Sequence, residues 1–463
     1  MPERIPRNRL ASTVNNRYCV RAVCLAASLA VLGSAEAQEN APEPRAGLHD
    51  YSLTTPLPEG SEVPERIPAL TRSMTIEELQ STAMVCNPTI AQALAEVRAL
   101  QGRWLQVGLR PNPVLGWSGE EMGNDGRAGR QGIEFSQEFI TAGKLGWNRA
   151  VVEQQIRAAQ CELEAQRRRV LNDVRIAACR VLADQERIAI LLELKQINEE
   201  VVAACQTLLE AKELAKTDLL KAQIELETTN MRLRVEKREL NGSRRALAGI
   251  VGKSDLADIR VEGSLTEDPP PLDWDASLER VYQNSPELRR AYAALAEARC
   301  DVARQRAGRV SDIEVGGAVA YNAASEYTEA TVAVGIPVKL FDRNQGNIAA
   351  AESRFVAARR EVDRARLELY HRLADVFRGY QVAREQAETF RRSVLPKAKM
   401  SLELTQEGFR HQESSYLELL NAQQTFLSSN LDYVEALETV WVTETQIDGL
   451  LLTGGLDSRL MPE

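Results

Sequence analysis

The sequence predicts a mainly α-helical protein with two internal repeats and four short β-strands. Three observations predict this fold. Aromatic residues make up only 5% of the 463 residues while Ala, Glu, Gln, Arg and Leu dominate long tracts, a composition typical of extended helices. Apolar residues recur every seven positions within two tracts of about sixty residues each, which indicates long antiparallel coiled-coil helices. The same order of helices and strands occurs twice.

The first 37 residues have the features of a signal peptide. A region with five Arg precedes an apolar core at 23–32, and Ala35-Glu36-Ala37 matches a cleavage pattern. An uncleaved anchor helix is the alternative, but the apolar core is short for one. We therefore predict export, followed by an extended Pro-rich segment over 38–74.

The charge balance excludes one class of partner. The formal net charge is −9, and removing the leader's +3 leaves about −12 for the exported chain. An acidic chain has no electrostatic basis for binding nucleic acid, so no nucleic-acid partner is predicted.

The two repeats are predicted at 75–252 and 277–455, joined by a linker at 253–276 and followed by a tail at 456–463. Leu219-Leu220-Lys221-Ala222-Gln223 recurs two hundred residues later as Leu419-Leu420-Asn421-Ala422-Gln423, identical at four of five positions. Within each repeat the order is a helix, two strands, a very long helix and a last helix of about 35 residues. The predicted bounds are 75–109, 113–120, 130–140 and 143–210 in the first repeat, and 277–307, 311–321, 328–339 and 344–407 in the second.

The long helices carry the heptad pattern of a coiled-coil seam. At about 1.5 Å per residue each would span roughly 100 Å. The seam residues are Ile156, Leu163, Val170, Val174, Ala177, Val181 and Ile188 in the first repeat, and Val362, Leu369, Leu373, Val376, Tyr380, Ala383, Ala387 and Phe390 in the second.

The four strands alternate between apolar residues and small or polar ones, the weak signature of a transmembrane β-barrel. We predict that the apolar side faces lipid, a set that includes Ile313, Val315, Val332, Val334 and Ile336. Four strands are too few to close a barrel, and an open sheet edge is not tolerated in hydrocarbon. Two copies would supply eight strands and three would supply twelve. The alternative is that the hairpins pack on the helices of a soluble protein.

The strand over 328–339 runs directly into a long helix. Pro337 is expected to help end the strand, and Asp342 with Gln345 three residues later matches an N-cap and capping box. The first strand pair is less regular, because Glu120, Glu121 and Glu138 lie close to its ends.

From about residue 75 to 455 the chain resembles the TolC-type outer-membrane efflux channels, especially their heavy-metal branch. The segments that carry the resemblance are FSQEFITAGKLGWNRA (135–150), VAVGIPVKLFDRNQGNIAAAE (332–352) and YLELLNAQQTFL (416–427). The resemblance implies a homotrimer with a twelve-stranded barrel in the outer membrane. It also implies a periplasmic α-barrel of long helices that meets a periplasmic adapter protein and an inner-membrane pump.

The resemblance also implies functional positions at the turns between long helices. Acidic residues ring the periplasmic end of such channels, and the matching position here is Glu418, with Asp218 at the equivalent place of the first repeat. Asn421 replaces the neighbouring acid. Ordinary solvated carboxylates are the alternative. The segments that resemble adapter-contacting tips contain Leu214, Thr217, Leu219, Gly408, Ser414, Ser415 and Leu419.

No enzyme and no cofactor are predicted. The three His have neither metal-site nor triad spacing, and the sequence has no H-E-x-x-H, phosphate-binding loop or G-x-S-x-G. The leading interpretation is therefore a passive outer-membrane duct of a tripartite pump. Two alternatives remain, a soluble periplasmic scaffold or pump adapter and a secreted metal-binding protein that uses Cys86, Cys161, Cys179, Cys205 and Cys300.

Overall fold

The computed structural model describes residues 73–123, 128–266, 271–411 and 413–457. The predicted signal peptide lies outside those ranges, as do residues 38–72 and 458–463. The chain divides into two compact units. Among the described residues the first unit comprises Gln101–Gln154 and Ala296–Ala357, and the second comprises the remainder. Each helix in the described ranges is too short or too polar to cross a membrane.

The described strands form two separate sheets. The strands are β1 (Ser73–Thr75), β2 (Val114–Glu120), β3 (Arg130–Phe139), β4 (Arg260–Glu262), β5 (Ile313–Asn322) and β6 (Tyr327–Gly335). The first unit contains a four-stranded antiparallel sheet in the order β2-β3-β5-β6. All four predicted strands are therefore confirmed, although β6 ends at Gly335 instead of continuing to residue 339.

The second unit contains a two-stranded parallel sheet that the sequence analysis missed. Strand β1 pairs with β4, and Met74 lies opposite Val261. Both of these side chains are buried. Strands of three residues are too short to show an alternating pattern, so the predicted extended segment and linker gave no sign of this pairing.

The described helices follow the predicted order within each half of the chain. They are α1 (Ile76–Cys86), α2 (Pro88–Val107), α3 (Lys144–Glu210), α4 (Lys216–Val251), α5 (Trp274–Asn284), α6 (Pro286–Ala307), α7 (Gln345–Thr389), α8 (Leu395–Arg410) and α9 (Tyr416–Asp448).

The prediction of single helices over 75–109 and 277–307 is wrong, because each is two helices separated by one residue. Asn87 and Ser285 have extended backbone with ψ of 120° and 118°, since a following proline disfavours the helical conformation. Both residues then cap the next helix. The Asn87 side chain accepts a hydrogen bond from the Thr89 N–H, and the Ser285 hydroxyl accepts one from the Leu288 N–H.

Helix α3 matches its predicted bounds to within one residue. The predicted helix at 344–407 is instead interrupted by a π-helical turn, Phe390–Val394. The Leu395 N–H donates to the Phe390 carbonyl five residues earlier. Pro396 follows directly, and its missing N–H and ring are the physical reason why regular helical bonding is interrupted there.

The heptad seam is confirmed. Val170, Val174 and Leu373 are fully buried, and most other predicted seam positions are also buried; Ile188, Val376 and Phe390 are half-buried. These residues belong to one continuous core of the second unit, apart from Ile156 and Phe390. A smaller apolar cluster in the same unit, which we call the turn cluster, contains Val201, Cys205, Ala222, Leu402, Phe409, Tyr416, Leu419, Ala422 and Phe426.

The predicted capping box at the start of α7 is wrong. The helix begins at Gln345, and the Asp342 side chain accepts from the Asn344 N–H at 2.8 Å rather than from a helical N–H. The Gln345 side chain accepts from the Arg343 N–H, also at 2.8 Å. Asn344 has a positive φ of 61°, a left-handed conformation that Asn tolerates better than most residues. The chain therefore enters the helix through a left-handed residue.

Candidate functional site

The four-stranded sheet has one continuous apolar face. Directly paired residues of adjacent strands point to the same face, and the observed register aligns Trp117 with Ile133, Ile133 with Val319, and Val315 with Val334. Most of the large side chains on this face are exposed, and Leu115 and Val334 expose 74% and 64% of their surface. The apolar side chains of this face are Leu115, Trp117, Ile133, Phe135, Phe139, Ile313, Val315, Val319, Tyr321, Ala330, Val332 and Val334, and the same register places Gln131 and Gln137 among them.

Four of the five predicted lipid-facing residues lie within this face. Val332 and Val334 are exposed, and Ile313 and Val315 are half-buried. Ile336 is also exposed but follows the end of β6. Lipid contact at these positions stays a prediction, and the register gives it a consistent geometry.

The opposite face of the sheet is polar and charged. Glu120, Glu134, Glu138, Glu314 and Glu329 lie on it with Arg130. The irregularity of the first strand pair thus has a structural explanation, because Glu120 and Glu138 occupy the polar face. Glu121 lies just beyond β2 and has a positive φ of 53°.

Arg130 connects three strands across the polar face. Its guanidinium lies 3.1 Å from a Glu120 oxygen on β2 and 3.3 Å from a Glu329 oxygen on β6. It also donates to the Thr331 hydroxyl. The small, buried Ala320 of the intervening strand gives the side chain room to cross. Arg130 was not predicted from the sequence, because its role depends on the sheet register.

A second polar network joins the start of α3 to the start of β5. Lys144 Nζ lies 2.6 Å from Asp312 Oδ2, and the Thr141 N–H donates to Asp312 Oδ1 at 2.7 Å. Burial alone would raise the pKa of Asp312, but the hydrogen bonds and charge of Lys144 and the Thr141 donors together lower it. The ionised carboxylate therefore fixes the strand–helix junction.

The predicted gate residues lie at the N-terminal turns of α4 and α9. Glu418 is exposed and completes a capping box, in which its carboxylate accepts from the Ser415 N–H at 2.8 Å and the Ser415 hydroxyl accepts from the Glu418 N–H. Asp218 is half-buried and pairs with Lys221 at 2.9 Å. Asn421 is exposed one turn after the cap. Both acids are thus placed at a helix start, where the helix dipole stabilises negative charge.

The predicted tip residues divide into exposed and packed groups. Thr217 and Ser415 are exposed, and Gly408 and Ser414 are half-buried. Leu214 and Leu219 pack against the turn cluster, and Leu419 lies fully buried inside it. Contact of these tip residues with a partner stays a prediction, and the side chain of Leu419 is part of the core. The structure brings both helix turns to this one cluster.

The cysteines show no arrangement for holding metal. The structure describes five of the cysteines, each as a thiol and not as a disulfide. Within the described ranges, no group of His, Cys, Asp and Glu has the geometry of a metal site. Burial raises the pKa of the Cys179 thiol to about 12 and that of Cys205 to about 11, whereas metal binding needs the thiolate.

The comparison with protein families decides the class of this protein. The family described as "Outer membrane efflux protein" matches residues 79–253 and 278–451. The chain belongs to the outer membrane efflux protein family. It is an outer-membrane efflux channel of the kind found in tripartite systems, and this family consists of passive channels rather than enzymes. The predicted class and location are confirmed.

Individual relatives agree with this assignment. "Cobalt-zinc-cadmium resistance protein CzcC" from Cupriavidus metallidurans is 25% identical over 378 residues, which cover 82% of this chain and 90% of that protein. The fold is similar to that of the outer-membrane channel OprN, with a TM-score of 0.69, 19% identity and coverage of 82% and 91% of the two chains. The open state of the Neisseria gonorrhoeae MtrE outer membrane channel gives a TM-score of 0.68 at 16% identity, with coverage of 82% and 89%.

Proposed function

We propose that three copies of this chain form a passive duct, each contributing four strands to one twelve-stranded barrel in the outer membrane. The observation that carries the proposal is the exposed apolar face of a sheet that is open at both ends. Among the described residues β2 and β6 each have a strand neighbour on one side only. Unpaired backbone groups are too costly in hydrocarbon, so these edges need partners before the sheet can face lipid.

The number of copies follows from the size of the lumen. Two copies would give an eight-stranded barrel, whose interior is filled by side chains. Three copies would give twelve strands and a wider lumen, which a duct requires. The family resemblance also favours the homotrimer.

The polar face of the sheet would line this lumen. Each copy presents five carboxylates, partly balanced by Arg130, and Glu138 lies directly opposite Glu314. Such a lining favours the passage of cations over anions. Together with the similarity to CzcC, a cobalt-zinc-cadmium resistance protein, it supports divalent metal cations as the exported class.

We further propose that the helices of the second unit form the periplasmic tunnel, with the predicted repeats at 75–252 and 277–455 as its building blocks. The family match to two separate segments supports two repeats. The exposed tip residues Thr217 and Ser415 would contact the periplasmic adapter, which connects the duct to the inner-membrane pump. The turn cluster would hold these tips in place.

Glu418 is the proposed cation-binding residue at the periplasmic mouth, with Asp218 and Asn421 beside it in supporting positions. Its exposed carboxylate is held by the capping box, so its position is fixed by the helix start. Three symmetry-related carboxylates around a narrow pore would attract cations.

The experiment that tests the duct is the mass of the purified protein in detergent. Light scattering with detergent correction, or native mass spectrometry, should give three chains per particle, and removing the detergent should precipitate the protein. A monomer that stays soluble without detergent would overturn the proposal.

A further inference from the structure

The apolar alternation of β6 continues past the end of the strand. Ile336, Val338 and Leu340 follow Val332 and Val334 at every second position, with 57%, 78% and 63% of their surfaces exposed. The segment 336–340 is irregular in the single chain, and the Leu340 N–H donates locally to the Val338 carbonyl. An edge strand presents unpaired N–H and C=O groups that can pair with another chain.

The start of α3 and the start of α7 are geometrically equivalent. Gly143 and Asn344 have φ of 63° and 61°, and the helices begin at the next residue in both cases. Trp147 and Ile348 donate to the carbonyls of Gly143 and Asn344 at 3.1 Å and 3.0 Å. The second half therefore corresponds to the first with an offset of 201 residues at this point.

The offset between equivalent residues of the two halves is different before the first strand of each hairpin. Asn87-Pro88 and Ser285-Pro286 occupy the same break between helices, an offset of 198 residues.

The strand pairing within the two hairpins shows whether the offsets of 198 and 201 residues are consistent with each other. Gly116 of β2 pairs with Glu134 of β3. Shifting these positions by 198 and 201 gives Glu314 and Gly335, which are paired in β5 and β6. The offsets are therefore mutually consistent, and β6 corresponds to β3 as β5 corresponds to β2.

Because β6 corresponds to β3 and β5 corresponds to β2, the observed register between β3 and β5 predicts the register between β6 and the β2 of another copy. Gln137 pairs with Val315, and Phe139 with Ile313. Adding 201 to the β3 residue of each pair gives the equivalent residue of β6, and subtracting 198 from the β5 residue gives the equivalent residue of β2. Val338 then lies opposite Trp117, and Leu340 lies opposite Leu115.

We infer that residues 336–340 extend β6 by pairing with β2 of a second copy, with Val338 opposite Trp117. This inference rests on the proposed trimer and gives its subunit contact a register. Leu115 and Trp117 are both exposed in the single chain, and they lie on the apolar face. The register keeps that face continuous across the seam, because a slip of one residue would reverse it.

Pro337 is compatible with this arrangement. It would lie opposite Ser118 on the polar face, and proline is accepted in strands that lack one neighbour. On the other side of Pro337, the Ser311 hydroxyl of the same chain donates to the Pro337 carbonyl. Residue 337 thus needs no N–H for a second strand.

Cysteine cross-linking in the outer membrane tests the register. Trp117→Cys is kept constant and combined in turn with Val334→Cys, Ile336→Cys or Val338→Cys. The background replaces the accessible thiols of Cys86, Cys161 and Cys300 by Ala, and it retains the buried Cys179 and Cys205. Side chains directly opposite have Cβ atoms about 5 Å apart and diagonal neighbours about 7–8 Å apart, so each slip is resolved.

The matched control is Gln137→Cys with Val315→Cys, the equivalent pair within one chain. It should form an intrachain disulfide without any change in oligomer mass, which shows that oxidation reaches this face.

The expected result is that the Val338 combination gives disulfide-linked oligomers and the Val334 combination gives none. Two results in a trimer would overturn the register but leave the duct proposal standing. In the first, the Val334 or Ile336 combination cross-links most strongly. In the second, no combination cross-links although the control pair oxidises. If the native mass is not that of a trimer, the duct proposal itself fails.

Discussion

The two units differ in whether their regularly spaced apolar side chains are buried or exposed. In the second unit Val170 and Val174 are fully buried by neighbouring helices of the same chain. In the first unit Val334 and Trp117 expose 64% and 61% of their surfaces. The apolar residues of both units recur with a regular period. The period therefore shows which face of a helix or strand needs an apolar environment, but it does not show whether the same chain, another copy or lipid provides that environment. The helical unit provides its own, whereas in the proposed trimer the sheet would depend on lipid and on other copies.

The largest expected effect is on the apolar face of the sheet. Val334→Arg would place a charge on the face proposed to contact lipid, at a cost of about 2–4 kcal/mol per chain near the bilayer midplane, and this cost would recur in every copy. We expect SDS-resistant assemblies to disappear from the outer membrane.

The matched control is Ala333→Arg, the adjacent residue on the polar face. It should assemble nearly as well as wild type. Equal loss for both variants would contradict the assigned faces.

The next largest effect concerns the core of the helical unit. Leu373 is fully buried, and Leu373→Ala should destabilise that unit by about 2–5 kcal/mol through lost burial and the remaining cavity. Urea unfolding followed by circular dichroism measures this difference. His371→Ala on the same helix changes an exposed side chain and should alter stability by less than about 0.5 kcal/mol. Similar losses for both would mean that the seam is not the core.

The strand–helix junctions should show a smaller difference. Lys144→Ala removes the ion pair with Asp312 and should cost about 1.5–3 kcal/mol, as for hydrogen bonds to charged groups. Lys339→Ala removes a hydrogen bond from the lysine ammonium to the neutral Gly308 carbonyl, so a smaller loss than for the ion pair is expected. The temperature at which the sheet loses SDS resistance reports both.

The pH dependence of the Lys144 effect has a definite sign. Because the pKa of Asp312 is lowered in the folded chain, the advantage of wild type over Lys144→Ala should be complete above the ordinary carboxyl pKa near 3.8 and disappear as the pH falls below it. An advantage that persists in acid would mean that packing of the lysine stem, rather than charge, stabilises the junction.

A buried acid in the helical unit should respond in the opposite direction. Burial raises the pKa of Glu444 to about 7, although Arg175 opposes the shift. The favourable protonated form is available below pH 4.5, and its stabilisation is lost as the pH rises towards 7. The thermal midpoint of wild type should therefore fall over this range relative to Glu444→Gln. Parallel curves would contradict the raised pKa.

The smallest structural perturbation is Glu418→Gln. Glutamine can still complete the capping box with Ser415, so stability should remain while the charge is lost. In planar bilayers, block of single-channel current by divalent cations should weaken. Asp218→Asn should weaken it less, because the family's ring of acids matches the second repeat. Wild-type block in both variants would assign the two acids to helix capping alone.

The sequence predicted the helical unit better than the sheet for a physical reason. The heptads at 156–188 and 362–390 can be buried only by packing against neighbouring helices, and this packing is observed in the structure. The Lys144–Asp312 pair joins residues 168 positions apart, and Arg130 meets Glu329 only through the register. No local pattern encodes such contacts.

The errors in the predicted helices came from residues with special backbone preferences. Pro88 and Pro286 divide the first helices, and Pro396 follows the π-helical turn. Asn344 replaces the expected cap with a left-handed residue. At the proposed tips, Leu419 lies in the turn cluster with its side chain fully buried. Period alone does not reveal what packs around a short turn.

The most direct test of the contrast between the two units is the environment of neighbouring residues in β6. Spin labels at Val334→Cys and Ala333→Cys, in the protein reconstituted into liposomes, can be compared for collision with oxygen, which concentrates in lipid, and with a water-soluble nickel chelate. We predict that the label at 334 meets mainly oxygen and that the label at 333 meets mainly nickel. Nickel access at both positions would show that the apolar face lies in water, and it would contradict the membrane barrel.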